Sequence, residues 1–93
     1  MEVIDFSFIK DESSRFYIED AYKAVSSVDG GWEFMKTFTP DDKKGFMFSS
    51  HPMLAKIGEK LDGGHSGASY GWTMRNIEYI AKHGMDAFKA KFA

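Results

Sequence analysis

The residues with the most chemical potential lie in a glycine-rich stretch, Gly63 to Ser69, that leads directly into a predicted helix. The first N–H groups of a helix are unpaired, and the helix dipole favours negative charge beside them. We therefore interpret this turn as a candidate site for a small anion such as a phosphate or a carboxylate. Its candidate ligands are Gly64, His65, Ser66 and Ser69, with Arg75 two turns further on as a charge partner.

The same stretch is also typical of a helix end followed by the N-cap of the next helix. It lacks the lysine and the spacing of a phosphate-binding P-loop, and a helix rather than a strand precedes it. The run Gly64 to Ala68 resembles the nucleophile motif G-x-S-x-G only in part, because its second glycine is displaced by one position. We predict no serine nucleophile here.

The remaining polar residues form no second pattern typical of a catalytic or metal-binding site. None of the three histidines, His51, His65 and His83, lies four residues from another, which is the spacing that places two metal ligands on one helix face. Adjacent carboxylates on a helix point apart, so the acidic pairs read as capping or solvated groups. With no cysteine in the chain, thiolate catalysis and cysteine-ligated metals are excluded. We assign no catalytic residue, no metal site and no cofactor.

The predicted helix over residues 67–82 has apolar residues on two sides rather than one. Tyr70, Met74, Ile77 and Ala81 form a stripe that we expect to face the core. On nearly the opposite side lie Trp72, Asn76, Tyr79 and His83. Large aromatic residues mixed with polar groups are typical of protein interfaces. The alternatives are that this helix is central and covered on both sides by its own chain, or that this side forms a ligand groove.

A second candidate interface is the most hydrophobic short run, Phe46-Met47-Phe48. Exposed aromatic residues in a loop invite aggregation unless something covers them. We therefore expect Phe46 and Phe48 either to be buried in the core or to dock against another chain.

These candidates are positioned by a predicted mainly α, single-domain fold over residues 1–93. The apolar periodicity predicts about five helices, at residues 13–28, 32–38, 51–61, 67–82 and 85–92, with Ser13 or Ser14 capping the first. Residues 1–10 alternate apolar and polar side chains, which predicts an extended arm or strand with Ile4, Phe6 and Phe8 on one side. The alternative is an α+β fold with a short hairpin around residues 32–49.

Charge and composition narrow the class of protein. The net charge is −2 without a basic cluster, so we expect no nucleic acid partner. Residues 1–42 hold ten acidic and four basic residues, whereas the remainder holds four acidic and eight basic ones, an asymmetry that could steer association. No apolar run approaches a membrane span, the N-terminus has no basic leader pattern, and cysteine is absent. We expect no membrane partner and a cytoplasmic location.

Taken together, these patterns favour a small non-catalytic protein–protein interaction or accessory domain. We expect it to form a homo-oligomer, through the side that carries Trp72 and Tyr79 or through the N-terminal segment, or to bind another protein. The alternative function is a small anionic-ligand-binding domain that uses the turn from Gly63 to Ser69.

Overall fold

The computed structural model describes residues 4–92, and it confirms the mainly helical class. Its helices are α1 (Glu12–Ser27), α2 (Gly31–Thr37), α3 (Pro52–Lys60), α4 (Gly67–His83) and α5 (Met85–Ala90), with a 3₁₀ turn at Phe48–Ser50 before α3. No strand occurs within these described residues. The hairpin alternative for residues 32–49 is therefore wrong: the only pairing there is an isolated bridge between Asp41 and Gly45.

The helix ends follow from local capping chemistry. Asp11, rather than Ser13 or Ser14, is the N-cap of α1, and its carboxylate accepts hydrogen bonds from the N–H and the hydroxyl of Ser14. A carboxylate at this position also benefits from the helix dipole, which explains why it displaces the serines. Gly30, with φ of 74°, makes the left-handed step that separates α1 from α2.

Of the two forms predicted for the N-terminal segment, an extended arm or a strand, the strand does not occur in residues 4–10. Residues 4–10 form no helix and pair with no strand, and a turn is closed by a 2.9 Å hydrogen bond from the Ile9 N–H to the Phe6 carbonyl. This turn breaks the alternation, so that Phe6 and Ile9 are buried while Phe8 is only half-buried. A lone strand leaves its backbone groups unpaired, and the turn satisfies some of them locally. The prediction for residues 1–3 lies outside the described residues.

Helix α4 lies at the centre of the fold, in contact with α1, α2 and α5, while α1 also packs against α3. These contacts bury an apolar core drawn from every helix and from the N-terminal segment, including Phe6, Ile18, Met35, Leu54, Met74, Ile77 and Phe88. The loop of residues 61–66 connects α3 to the start of α4 and contacts Asp20 of α1. It carries the candidate site.

Candidate functional site

The loop between α3 and α4 is fixed by a buried carboxylate that sequence reasoning missed. Asp20, on α1, accepts hydrogen bonds from the backbone N–H of Asp62 at 3.0 and 3.2 Å. Its Oδ2 also lies 2.7 Å from Nε2 of His65, and the two side chains are only 3% and 5% exposed. One carboxylate therefore holds the loop at two points.

The chemistry of this pair sets the orientation of His65. A carboxylate can only accept, so Nε2 of the imidazole must donate to Asp20. The ring also packs on Tyr17, with centroids 5.0 Å apart. Its other nitrogen, Nδ1, is buried without a hydrogen-bond partner in the described residues. His65 thus points into the protein and anchors the loop.

Asp20 carried a detectable signal in the sequence. It lies three residues after Tyr17 and four before Ala24, on the apolar stripe of α1 rather than on the solvated side. A charged residue on such a stripe needs a partner, because burying an unpaired charge is costly. Asp20 belongs to the acidic pair Glu19-Asp20, and the interpretation of such pairs as capping or solvated groups is wrong for this residue, although its partner, 45 residues away, could not be read from the pattern.

The serines of the predicted anion site are occupied by the start of α4. Ser66 is the N-cap, and its hydroxyl accepts from the Ser69 N–H at 3.3 Å. The Ser69 hydroxyl in turn accepts from the Ser66 N–H at 2.8 Å, which completes a capping box. The turn itself is left-handed at Gly63 and Gly64, with φ of 108° and 85°.

The structure thus brings together four of the five predicted anion ligands, but in another role. Ser66 and Ser69 bind each other, His65 is turned toward a carboxylate, and Gly64 shapes the turn. Arg75 is exposed six residues beyond Ser69, which places it about 9 Å further along the helix axis. It does not join the turn.

An apolar groove of about 630 Å³ lies beside this loop. We define it by the residues Met47, Phe48, Gly58, Leu61, Gly64 and Tyr70, and its lining also includes Ser49, His65 and two further glycines near the start of α4. None of the lining residues is Asp, Glu, Lys or Arg. On one side of the groove lies the segment that carries Met47 and Phe48, and on the other lies the loop that Asp20 fixes.

The aromatic side of the groove is held by specific contacts. The Tyr70 hydroxyl donates to the backbone carbonyl of Phe46, and burial raises the pKa of Tyr70 to about 12. The ring of Phe48 meets Tyr70 edge to face at 5.2 Å between centroids. It also lies over Gly58, where an added Cβ would come within 2.5 Å of the ring.

The two phenylalanines of the run Phe46-Met47-Phe48 differ in burial. Phe46 is buried in the core of its own chain, which is one of the two outcomes expected for it, so it is not available to an interface. Phe48 is 48% exposed and Met47 is more exposed still. The backbone at Phe46 is held by the Tyr70 hydroxyl, and the chain enters the 3₁₀ turn at Phe48 two residues later.

The side of α4 that was predicted to be an interface, with Trp72, Asn76, Tyr79 and His83, is only partly exposed. Trp72 is 41% exposed and His83 is exposed, whereas Asn76 is buried and its amide donates to the Trp72 carbonyl at 2.8 Å. Tyr79 is half-buried, its ring tilted against that of His83, and the Lys91 ammonium lies 4.2 Å from the Tyr79 ring centroid. Asn76 is covered because α4 packs against three other helices, which leaves less free surface than the pattern indicated.

Two further findings concern classes of function. Among residues 4–92, no three His, Asp or Glu side chains are grouped as a metal ion requires. His51 instead caps α3, where Nδ1 accepts from the Met53 N–H at 3.0 Å. No helix in the described part of the chain is long and apolar enough to cross a bilayer.

Comparison of the chain with protein-family models, curated protein sequences and solved structures finds no match.

Proposed function

We propose that this chain is a small non-catalytic protein–protein interaction domain that associates with a second copy of itself. The observation that carries the proposal is the exposure of Met47 and Phe48 along an apolar groove, in a chain that buries most of its other large apolar residues. Apolar side chains clustered on a surface gain free energy when a partner removes them from water.

The roles of the polar groups near the groove support a binding rather than a catalytic function. Ser66 and Ser69 are engaged in the capping box of α4. Asp20 and His65 are nearly inaccessible and bind each other and the loop backbone. Each of these groups has a structural role that accounts for its position, and a nucleophile or a general base must instead reach its substrate.

Self-association is tested by sedimentation equilibrium of the purified chain over a wide range of concentrations. We expect the apparent mass to rise from the protomer value of 10.5 kDa toward twice that value. A mass that stays at the protomer value up to the highest soluble concentration would remove self-association from the proposal.

The alternative function, binding of a small anion at the turn from Gly63 to Ser69, stays a prediction. It is weakened by the engagement of both serines and by the Asp20 carboxylate beneath the loop, which repels negative charge. Thermal unfolding with and without inorganic phosphate tests it, because a ligand that binds the native state raises its melting temperature. An unchanged melting temperature at saturating phosphate would argue against it.

Two expectations about context also stay predictions. The absence of cysteine and of a basic cluster favours a cytoplasmic protein that does not bind nucleic acid. Fractionation of cells that produce the chain, and an electrophoretic shift assay with duplex DNA and single-stranded RNA at physiological salt, would test the two expectations separately.

A further inference from the structure

The methionines of this chain differ widely in their access to solvent. Met35 and Met74 are fully buried in the core, and Met53 and Met85 are half-buried against it. Met47, in contrast, is 54% exposed. Among the described methionines, Met47 is therefore the one that a reagent in water can reach without a change in the fold.

The backbone at Met47 is fixed on both sides, so that its exposure is a property of the folded chain. The Met47 N–H donates to the Lys44 carbonyl at 3.1 Å. The Met47 carbonyl accepts from the N–H and the hydroxyl of Ser50, at 2.9 and 2.8 Å. The preceding residue, Phe46, is buried in the core. No segment has to open before the side chain of Met47 meets water.

An exposed thioether can take up one oxygen atom from a peroxide. A sulfur lone pair attacks one oxygen of hydrogen peroxide, the O–O bond breaks, and the second oxygen leaves as water while methionine becomes methionine sulfoxide. Because the chain has no cysteine, its thioethers are the only sulfur groups that an oxidant can attack. We propose that Met47 is an oxidation site, at which hydrogen peroxide modifies the folded chain before any other described methionine.

Oxidation of Met47 changes the apolar groove rather than the core. Met47 lines the groove with Phe48 and Leu61, and none of the lining residues is charged. A sulfoxide replaces the flexible apolar tip of the side chain by a polar group, which lowers the free energy gained when this surface leaves water. Met35 and Met74 stay unmodified in the core, so the fold persists. The polarity of the groove thus depends on exposure to peroxide.

The test treats a dilute solution of the folded chain with a limited amount of hydrogen peroxide and follows each methionine by peptide mapping and mass spectrometry. We expect Met47 to gain one oxygen atom at least about tenfold faster than Met35 or Met74, because a buried thioether reacts only when the structure opens locally. Met53 and Met85 should also react more slowly than Met47, since both are half-buried. Dilution keeps the sulfur of Met47 uncovered, so the result does not depend on self-association.

The same treatment in concentrated urea is the first control. Unfolding exposes every thioether, so the ratio of the oxidation rates of Met47 and Met35 should fall to about one. A ratio that persists in urea would show that the flanking residues, and not the fold, set the reactivity, and it would overturn the proposal. Met1, which lies outside the described residues, is scored separately.

The matched variant is Met47→Leu, which keeps an apolar side chain of similar volume but removes the sulfur. It should abolish the fastest oxidation among the described residues and leave the circular dichroism spectrum unchanged. The wild-type chain oxidised at Met47 alone should also keep its spectrum. Oxidation that begins at Met53, Met85 or a buried methionine overturns the proposal, as does a loss of helical signal when Met47 alone is oxidised.

Discussion

Replacement of Asp20 by alanine should destabilise the protein more than any other single change of a carboxylate. The substitution leaves the buried imidazole of His65 and the N–H of Asp62 without their acceptor. Removal of one partner from a buried pair generally costs about 3–5 kcal/mol. Because the loop can open and expose His65 to water, we take the lower end, about 3 kcal/mol.

This free energy is large enough to measure by thermal unfolding. In a domain of this size, 1 kcal/mol shifts the melting temperature by about 4–8 °C, so Asp20→Ala should lower it by roughly 12–24 °C. The matched control is Asp42→Ala, because Asp42 is exposed and has no hydrogen bond or ion pair in the described residues. Its free energy of unfolding should change by less than about 0.5 kcal/mol.

A double-mutant cycle separates the pair from other effects of the substitution. Asp20→Ala, His65→Ala and the double variant should show a coupling free energy of roughly 1–3 kcal/mol, as for residues in direct contact. Hydrogen exchange should also accelerate at the Asp62 amide, whose acceptor is lost. Equal melting temperatures for Asp20→Ala and the Asp42 control, or additive single effects in the cycle, would refute the reasoning about this pair.

Three further predictions follow from the fold. Gly31→Ala should cost about 1–3 kcal/mol, because the added Cβ would collide with the backbone carbonyl of Val25. Gly71→Ala, inside α4 with open space around it, should instead stabilise by about 0.5–1 kcal/mol in urea unfolding, and the same sign for both glycines would contradict the packing described. Hydrogen bonds from the Ser14 N–H and then its hydroxyl hold the pKa of Asp11 below 3.8. A carboxylate whose pKa is lowered by folding stabilises the fold at pH values above its ordinary pKa, and this stabilisation is lost as the pH falls. The destabilisation caused by Asp11→Ala should therefore shrink in acid. A difference in stability that stays constant with pH would argue against this role of Asp11.

Local signals in the sequence predict the helices well, because each depends on residues close together along the chain. Helix α4 begins at Gly67, behind a serine cap, and is followed by Gly84, and both signals are visible in the sequence. The N-terminal segment shows the limit of this reasoning. Its alternating pattern predicts an extended arm or a strand, but no second strand exists in the described residues to pair with it.

The site was harder to predict because it depends on how the helices pack. The contact between Asp20 and His65 joins α1 to a loop 45 residues later, and no local pattern encodes it. In the same way, buried Phe46 is held at its carbonyl by the Tyr70 hydroxyl, 24 residues away, and no local pattern encodes that contact. The sequence indicated that this run must be buried or bound: Phe46 is buried, and the binding of Phe48 to a partner stays a prediction.

The buried pair and the apolar groove belong to one arrangement. A loop with glycines at 63, 64 and 67 has high conformational entropy and would ordinarily be a poor binding surface, because association would have to order it. Asp20 orders the loop within the free chain, by holding the Asp62 N–H and His65. The entropy is then lost during folding rather than during association. The polar side of the loop thus faces the protein, and its glycine surface is available to a partner in a fixed shape.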